Sequence, residues 1–594
     1  SQELIAKLND EEAVAYLSQF PDEKLSASDF ENRLFFELYR TANERFPHNP
    51  FFVESLLRFY RSNKQDRDWR KLAARYYFES KTIRDQFLDD LAKRGELRAF
   101  SAQADGRTGS IYELFRADAS VRLSNFEKAV QTYRKLNRLY PNTPEFSESL
   151  LNLARSFGQK DRVLLDEAAT EARDRANFLP SAAEYRTRSG EIYAELGLYE
   201  EARREWEKLI RTAAGEKQTY LDAATLYAES MMNLRPWKLW TPEGVPAEGT
   251  LEIIAVLEGV LKRNPNHTGA NHYYIHAVEA GPNPERGYQS AVRLGWLAPN
   301  AGHLVHMPSH IYIRTGDYTE AAKSNADAII ADRRYIQKTG ASGLYTMMYY
   351  NHNIHFLSAA NAMNGNYAEA VKQARELEAN VRPHLKTMPM LEMFAPYTLV
   401  TLVRFQKWDE VMKYAEPEAH MKITGSFRHF ARGLAFADGG KTGEAEKELA
   451  ALRAKVKTIP PETGIGNSPA HNVLKVAEEM LAGEIAFAKG DRKAGIEFLR
   501  KAAAAEDVVN YNEPPDWDIP TREWLGRALL RDGQFAEAEK IYRAELEKHP
   551  RNGRALFGLV EALKKQGKVS AAQMVEREFE NAWEKADTKL SVES

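Results

Sequence analysis

The sequence predicts an all-α chain: an α-solenoid of helix-turn-helix repeats wound into a right-handed superhelix. Three observations carry this expectation. A small or glycine-containing turn followed by an aromatic and then a Glu/Ala-rich stretch recurs along the chain, as in Ser124-Asn125-Phe126-Glu127-Lys128-Ala129, Gly197-Leu198-Tyr199-Glu200-Glu201-Ala202, Gly316-Asp317-Tyr318-Thr319-Glu320-Ala321, Gly365-Asn366-Tyr367-Ala368-Glu369-Ala370 and Gly533-Gln534-Phe535-Ala536-Glu537-Ala538. His272 and His276 reappear 34 residues on as His306 and His310, and Gly533 and Gly567 are also 34 apart; that is the length of a common two-helix repeat. No strand-type alternation persists, and no glycine-rich phosphate loop follows a strand.

The elements follow in order. Residues 1–220 read as an N-terminal helical array, with aromatic-rich helical periodicity at Phe35, Phe36, Tyr39, Phe51, Phe52, Leu56, Leu57 and Tyr60. Residues 221–400 read as a central array with a histidine-rich concave face, and 401–594 as a C-terminal array. In each repeat turn, glycine permits the left-handed residue that ends a helix, and the small alanine lets the helices approach. Pro141, Pro265 and Pro550 are expected to close second helices. Three irregular insertions interrupt the stacking: 233–250 with Trp237 and Trp240, 382–396 with Pro383, Pro389 and Pro396, and 506–520 with Tyr511, Glu513, Asp516 and Trp517. Long aromatic loops in a repeat array cover a site, contact a partner or plug a seam.

At 594 residues the chain exceeds one compact core. Formal net charge is −3 with acids and bases mixed throughout, so no basic stripe for nucleic acid is present. No apolar run reaches the roughly 18–20 residues of a transmembrane segment. The absence of cysteine excludes disulfides, thiolate metal sites and cysteine nucleophiles. An opening at Ser1 without methionine fits an exported protein, periplasmic or secreted, although a cysteine-free chain suits the cytosol equally.

Several longer stretches belong to no generic repeat. They are 226–237 (LYAESMMNLRPW), 271–280 (NHYYIHAVEA), 301–314 (AGHLVHMPSHIYIR), 349–357 (YYNHNIHFL), 513–517 (EPPDW) and 550–553 (PRNG). On these, residues 221–590 resemble a family of bacterial tetratricopeptide (TPR) repeat proteins of largely uncharacterised function. The resemblance implies the repeat fold and brings no settled activity. Residues 1–220 depart from that family's usual front and resemble a generic TPR array.

The first helices of three consecutive units are expected at 269–280, 303–315 and 345–364, and their second helices at 284–298, 318–338 and 367–380. His272, His276 and Glu279 then share one helical face at i, i+4, i+7, as do His303, His306 and His310 at i, i+3, i+7. His352 and His355 form a third pair, and Pro308 breaks or kinks its helix near Met307. First helices of such repeats line the concave side, and packed axes lie about 8–10 Å apart. Imidazoles from neighbouring helices can therefore meet on one ion.

These eight residues form a candidate transition-metal site for zinc, copper or iron. Met307, Met347, Met348 and the Met388/Met390/Met393 loop would tilt it towards copper. Tyr273, Tyr349, Tyr350, Asn351, Asn353, Trp237, Trp240, Glu513 and Trp517 are candidate groove or ligand contacts. The competing reading is a hydrogen-bonded polar lining. No His-Glu-x-x-His helix and no Gly-x-Ser-x-Gly elbow occurs, so no catalytic residue is assigned. The functional expectation is a scaffold that binds a protein or peptide partner in its groove, with the histidine pocket in its middle third. The alternatives are a metal-dependent hydrolytic or oxidative enzyme and a structural subunit of an extracytoplasmic assembly.

Overall fold

A computed structural model describes residues 5–19, 30–78, 80–104, 109–140, 143–156, 162–176, 182–212 and 217–591. Pro141 lies outside them. The protein is an all-α solenoid of paired helices, and the described strands are limited to Gly464–Ile465 and Ser468–Pro469. The chain divides into two compact units, Ser1–Glu205 and Trp206–Ser594. Among the described residues no helix is long and apolar enough to cross a membrane.

In the first unit the aromatic periodicity produces the core. Tyr39, Phe52, Leu56 and Leu57 are buried, and Phe36 stacks on Phe59 with centroids 4.3 Å apart. A buried ion pair, Arg84 Nε to Asp118 Oδ2 at 2.9 Å, ties its helices together, and Tyr133 donates to the other oxygen of Asp118.

The second unit carries the histidines. Its repeat turns use the left-handed backbone the sequence called for, with φ of 78° at Gly316, 74° at Gly365 and 77° at Gly533. First helices lie at Thr268–Glu279, at Gly302–His306 with Pro308–Thr315, and at Asn351–Met363; second helices lie at Tyr288–Leu297, Tyr318–Thr339 and Tyr367–Val381. One element differs from expectation: Tyr345–Tyr350 is a wider π-helical turn leading into Asn351–Met363. Asp332 holds that turn, accepting from Tyr345 Oη at 2.5 Å and from Asn353 Nδ2 at 2.8 Å.

The C-terminal repeats of this unit return to the central ones. Tyr318 Oη donates to the Pro550 carbonyl at 3.0 Å, and Arg551 pairs with Asp317. Asp587 accepts the backbone N–H groups of Tyr367 and Ala368 at 2.7 and 2.9 Å, capping that helix start. Gly316 permits the contact, because a Cβ there would stand 2.2 Å from the Pro550 oxygen.

Candidate metal centre

The Thr268–Glu279 helix is fixed at its start by His267, whose Nδ1 accepts the Ala270 N–H at 3.1 Å while its Nε2 meets Asp222 at 2.9 Å. This register sets His272, His276 and Glu279 on one face. On the next unit Pro308 removes one amide donor between His306 and His310, yet the backbone at Met307 stays helical (φ −51°, ψ −35°). The two histidines therefore keep a common face across the break. The third first helix brings His352.

The imidazole nitrogens converge. His306 Nε2 lies 2.7 Å from His310 Nε2 and 3.1 Å from His352 Nε2, and His272 Nε2 lies 3.1 Å from His303 Nε2. Three overlapping groups have ligand atoms within 4.8 Å of one another: His272 with His276 and His303; His306 with His310 and His352; His276 with Glu279 and His310. Two nitrogens on one tetrahedral zinc, each bonded at about 2.0–2.1 Å, stand about 3.3 Å apart. The two 3.1 Å spacings are close to that value, and the 2.7 Å one is shorter.

The far sides of three rings, His276, His306 and His310, are occupied by acceptors, whereas the buried Nδ1 of His303 has no hydrogen-bond partner. His306 Nδ1 lies 2.6 Å from Asn325 Oδ1, and Asn325 Nδ2 donates to the Ala321 carbonyl at 2.7 Å, which fixes the amide's orientation. Ser309 Oγ is 3.2 Å from the same nitrogen. Glu279, 2% exposed, spans two histidines: Oε1 meets His276 Nδ1 at 2.6 Å and Oε2 meets His310 Nδ1 at 2.5 Å. Each of these Nδ1 atoms is thus a donor, and each Nε2 presents its lone pair inward. Opposed lone pairs at 2.7 Å repel unless a cation lies between them.

The electrostatics match this arrangement. Burial first, then His276 and His310, hold His303 down to about 3. His272, His306 and His352 are held well below the ordinary imidazole value, by burial first and by neighbouring imidazoles second. Burial alone would raise Glu279, but the charge and hydrogen bonds of His310 and His276 outweigh it and keep the carboxylate ionised. His272, His303, His306 and His352 are therefore held in the neutral form, beside one buried carboxylate.

The cover comes from the 506–520 insertion. Tyr511 Oη donates to Glu279 Oε2 at 3.2 Å, and Glu513 Oε2 lies 3.9 Å from His310 Nδ1. Burial, then the charge of Glu279, holds Glu513 well above the usual carboxylate range, in its protonated form.

The other predicted site residues separate into groups. His355 does not join the cluster; its ring lies 4.1 Å from that of Tyr397, and its buried Nε2 has no hydrogen-bond partner. Tyr273 and Tyr349 flank it, with ring centroids 4.8 Å from His272 and 5.1 Å from His303. Tyr350 is in an ion network with Arg333 and Glu376, Asn351 bonds Met347 and Asn380, and Asn353 holds Asp332. Trp240 donates to the Ala277 carbonyl at 2.8 Å behind the histidine helix, whereas Trp237 is 63% exposed. Trp517 is buried against Phe427 and Phe430, and Asp516 accepts from Asn512. The methionines give copper no support, since Met307 is buried in an apolar cluster, Met347, Met348, Met388 and Met393 pack on another, and Met390 is exposed. Asn325 was not singled out in the sequence; it lies on a second helix, 19 residues from His306, and its spacing carries no motif.

A tetratricopeptide-repeat family model matches residues 525–578. No curated protein sequence matches. Among solved structures, a chain of the APC/C hetero-tetramer Cut9–Hcn1 is 12% identical, with 99% of this chain and 96% of that one covered, at a TM-score of 0.29. Human IFIT1, solved as a dimer with PPP-AAAA, is 14% identical over 83% of this chain and 94% of its own, at a TM-score of 0.32. The chain carries a TPR repeat at 525–578, within an all-α repeat scaffold.

Proposed function

We propose that this repeat scaffold is a metalloprotein that holds a transition metal on His306, His310 and His352, with His272, His276 and His303 as an adjoining three-imidazole group and Glu279 orienting one histidine of each. The observation that carries the reading is the convergence of His306, His310 and His352 Nε2 atoms at 2.7 and 3.1 Å, while Asn325 and Glu279 occupy the Nδ1 sides of His306 and His310. Carboxylate or carbonyl acceptors behind ligating imidazoles fix tautomer and ring orientation in this way. A purely hydrogen-bonded lining leaves at least one of the three facing nitrogens without a donor.

An all-nitrogen donor set suits zinc first, with copper and iron as competitors. Tyr511 and Glu513 of the same chain stand over the histidine wall, so a protein or peptide partner of the scaffold would use other surfaces. A second reading is metal-dependent hydrolytic or oxidative catalysis, with Glu513, a buried carboxyl 3.9 Å from His310 Nδ1, as the nearest further acidic group. Three protein ligands also leave a fourth position for water or substrate.

The test is metal content of the full chain, purified without a histidine tag, stripped with chelator and reloaded separately with zinc, copper and iron. At least one ion per chain should survive gel filtration, and His306→Ala with His310→Ala should abolish its retention. Sub-stoichiometric retention of all three metals would end the reading.

A further inference from the structure

The six clustered histidines form two groups built on one plan. In the buried group, His306 and His310 stand four residues apart on one first helix, and His352 comes from the first helix of the following repeat. In the outer group, His272 and His276 stand four residues apart on the preceding first helix, and His303 comes from the next one. The two groups share no histidine, and in each the ligand atoms lie within 4.8 Å of one another. The 34-residue step from His272 and His276 to His306 and His310 is therefore also a step from one three-imidazole group to the next.

The local geometry repeats as well. His272 Nε2 lies 3.1 Å from His303 Nε2, the same separation as between His306 and His352 Nε2 in the buried group. The His272 ring is inclined at 68° and 89° to those of His276 and His303, as His306 is at 75° and 74° to His310 and His352. Steep angles let in-plane lone pairs converge without the rings stacking face to face. Glu279 serves both groups, with Oε1 on His276 Nδ1 and Oε2 on His310 Nδ1, so one carboxylate orients the equivalent ring of each. A four-coordinate ion held by the buried group has one position left, too few for three more imidazoles.

We propose, building on the metal reading above, that His272, His276 and His303 hold a second transition-metal ion of their own beside the first. The all-nitrogen donor set suits zinc, as in the buried group. Rings of the two groups stand 5.1 Å apart at His276 and His310 and 6.1 Å apart at His303 and His306, so the ions are neighbours, as in two-metal sites. The Glu279 carboxylate, bonded to one ring of each group, offsets part of their mutual repulsion. The two positions differ in access. His306 and His310 are 0% and 1% exposed, whereas the His276 side chain is 28% exposed and Tyr349, beside His303, is 42% exposed. The outer ion is thus the more accessible of the two.

The full chain, purified without a histidine tag, is stripped with chelator, reloaded with zinc alone, gel filtered and assayed for zinc. Two ions per chain are expected, falling to one in His272→Ala with His303→Ala. One ion in the wild type that persists in this variant, the result for a merely hydrogen-bonded His272–His303 pair, overturns the second site and leaves the buried one standing. One ion that the variant loses supports the outer site and counts against the buried one instead. Two ions retained by the variant, or none held by the wild type, overturn the proposal, and only the latter also ends the buried site. Should the variant not fold, anomalous diffraction from zinc-loaded wild-type crystals decides the matter. A peak at each group supports the proposal, and a single peak on His306, His310 and His352 overturns it.

Discussion

Replacing Glu279 by glutamine removes one charge and changes almost no volume, so its effect on metal binding follows from the hydrogen bonds alone. The carboxylate accepts from His276 Nδ1 at 2.6 Å, His310 Nδ1 at 2.5 Å and Tyr511 Oη at 3.2 Å. Glutamine offers one acceptor oxygen and one NH2 group, so one of the two histidines must face a donor and turn. Losing one hydrogen bond to a charged group costs about 1.5–3 kcal/mol. At about 1.4 kcal/mol per ten-fold, that is a zinc affinity roughly 10- to 100-fold weaker. Competition of the stripped protein against a fluorescent zinc chelator near neutral pH measures it. Glu448→Gln is the matched control, because Glu448 meets His429 Nδ1 at 2.6 Å in the same way but outside the cluster. Unchanged zinc affinity in Glu279→Gln, or an equal loss in Glu448→Gln, would refute the orienting role.

Other predictions follow from the same contacts. Gly316→Ala places a Cβ against the Pro550 carbonyl at φ 78° and should destabilise the second unit by about 2–4 kcal/mol in urea unfolding. A wild-type midpoint would mean that the closure carries no stability. Gly302→Ala puts a Cβ 1.8 Å from Asp332 Oδ1, pushing the carboxylate that holds Tyr345 and Asn353; a loss of about 1–3 kcal/mol is expected, read by thermal melting. Acid should destabilise the stripped protein. His303 and His355 titrate near 3 when folded against 6.5 ordinarily, so the unfolded chain binds more protons below 6.5. Their stabilisation is complete above 6.5 and is lost as pH falls towards 3, with a slope of up to about 1.4 kcal/mol per pH unit for each. Glu513, held protonated, contributes the opposite slope above the ordinary glutamate value of 4.5, so the net dependence is shallower. His355→Leu should flatten the slope between pH 7 and 5 while leaving zinc affinity intact; an unchanged slope would contradict the buried neutral assignment.

Much of the fold was legible because repeat spacing and glycine turns are local signals. The bounds expected for the three histidine-bearing repeats fall within a few residues of the observed helices. The seven-residue register from His272 to Glu279 and from His303 to His310 placed six of the eight candidate ligands on two faces before any packing was known. Long-range closure was not legible. Tyr511 meets Glu279 across 232 residues, and Pro550 meets Tyr318 across another 232; neither pairing leaves a periodic trace. The π-helical turn at Tyr345–Tyr350 is tied to Asp332 through Tyr345, a tertiary contact that propensity does not encode. His355 was grouped with His352 by spacing, but a three-residue step leaves two side chains about 60° apart around a helix. His352 joins the cluster, while the ring of His355 lies against Tyr397.

The most direct test of the central claim is X-ray absorption at the zinc edge on the stripped and reloaded full chain. The account predicts nitrogen neighbours at about 2.0–2.1 Å with the outer-shell scattering of several imidazole rings, reduced in His306→Ala. Bound zinc whose spectrum lacks imidazole scattering, or a spectrum identical in His306→Ala, would contradict it.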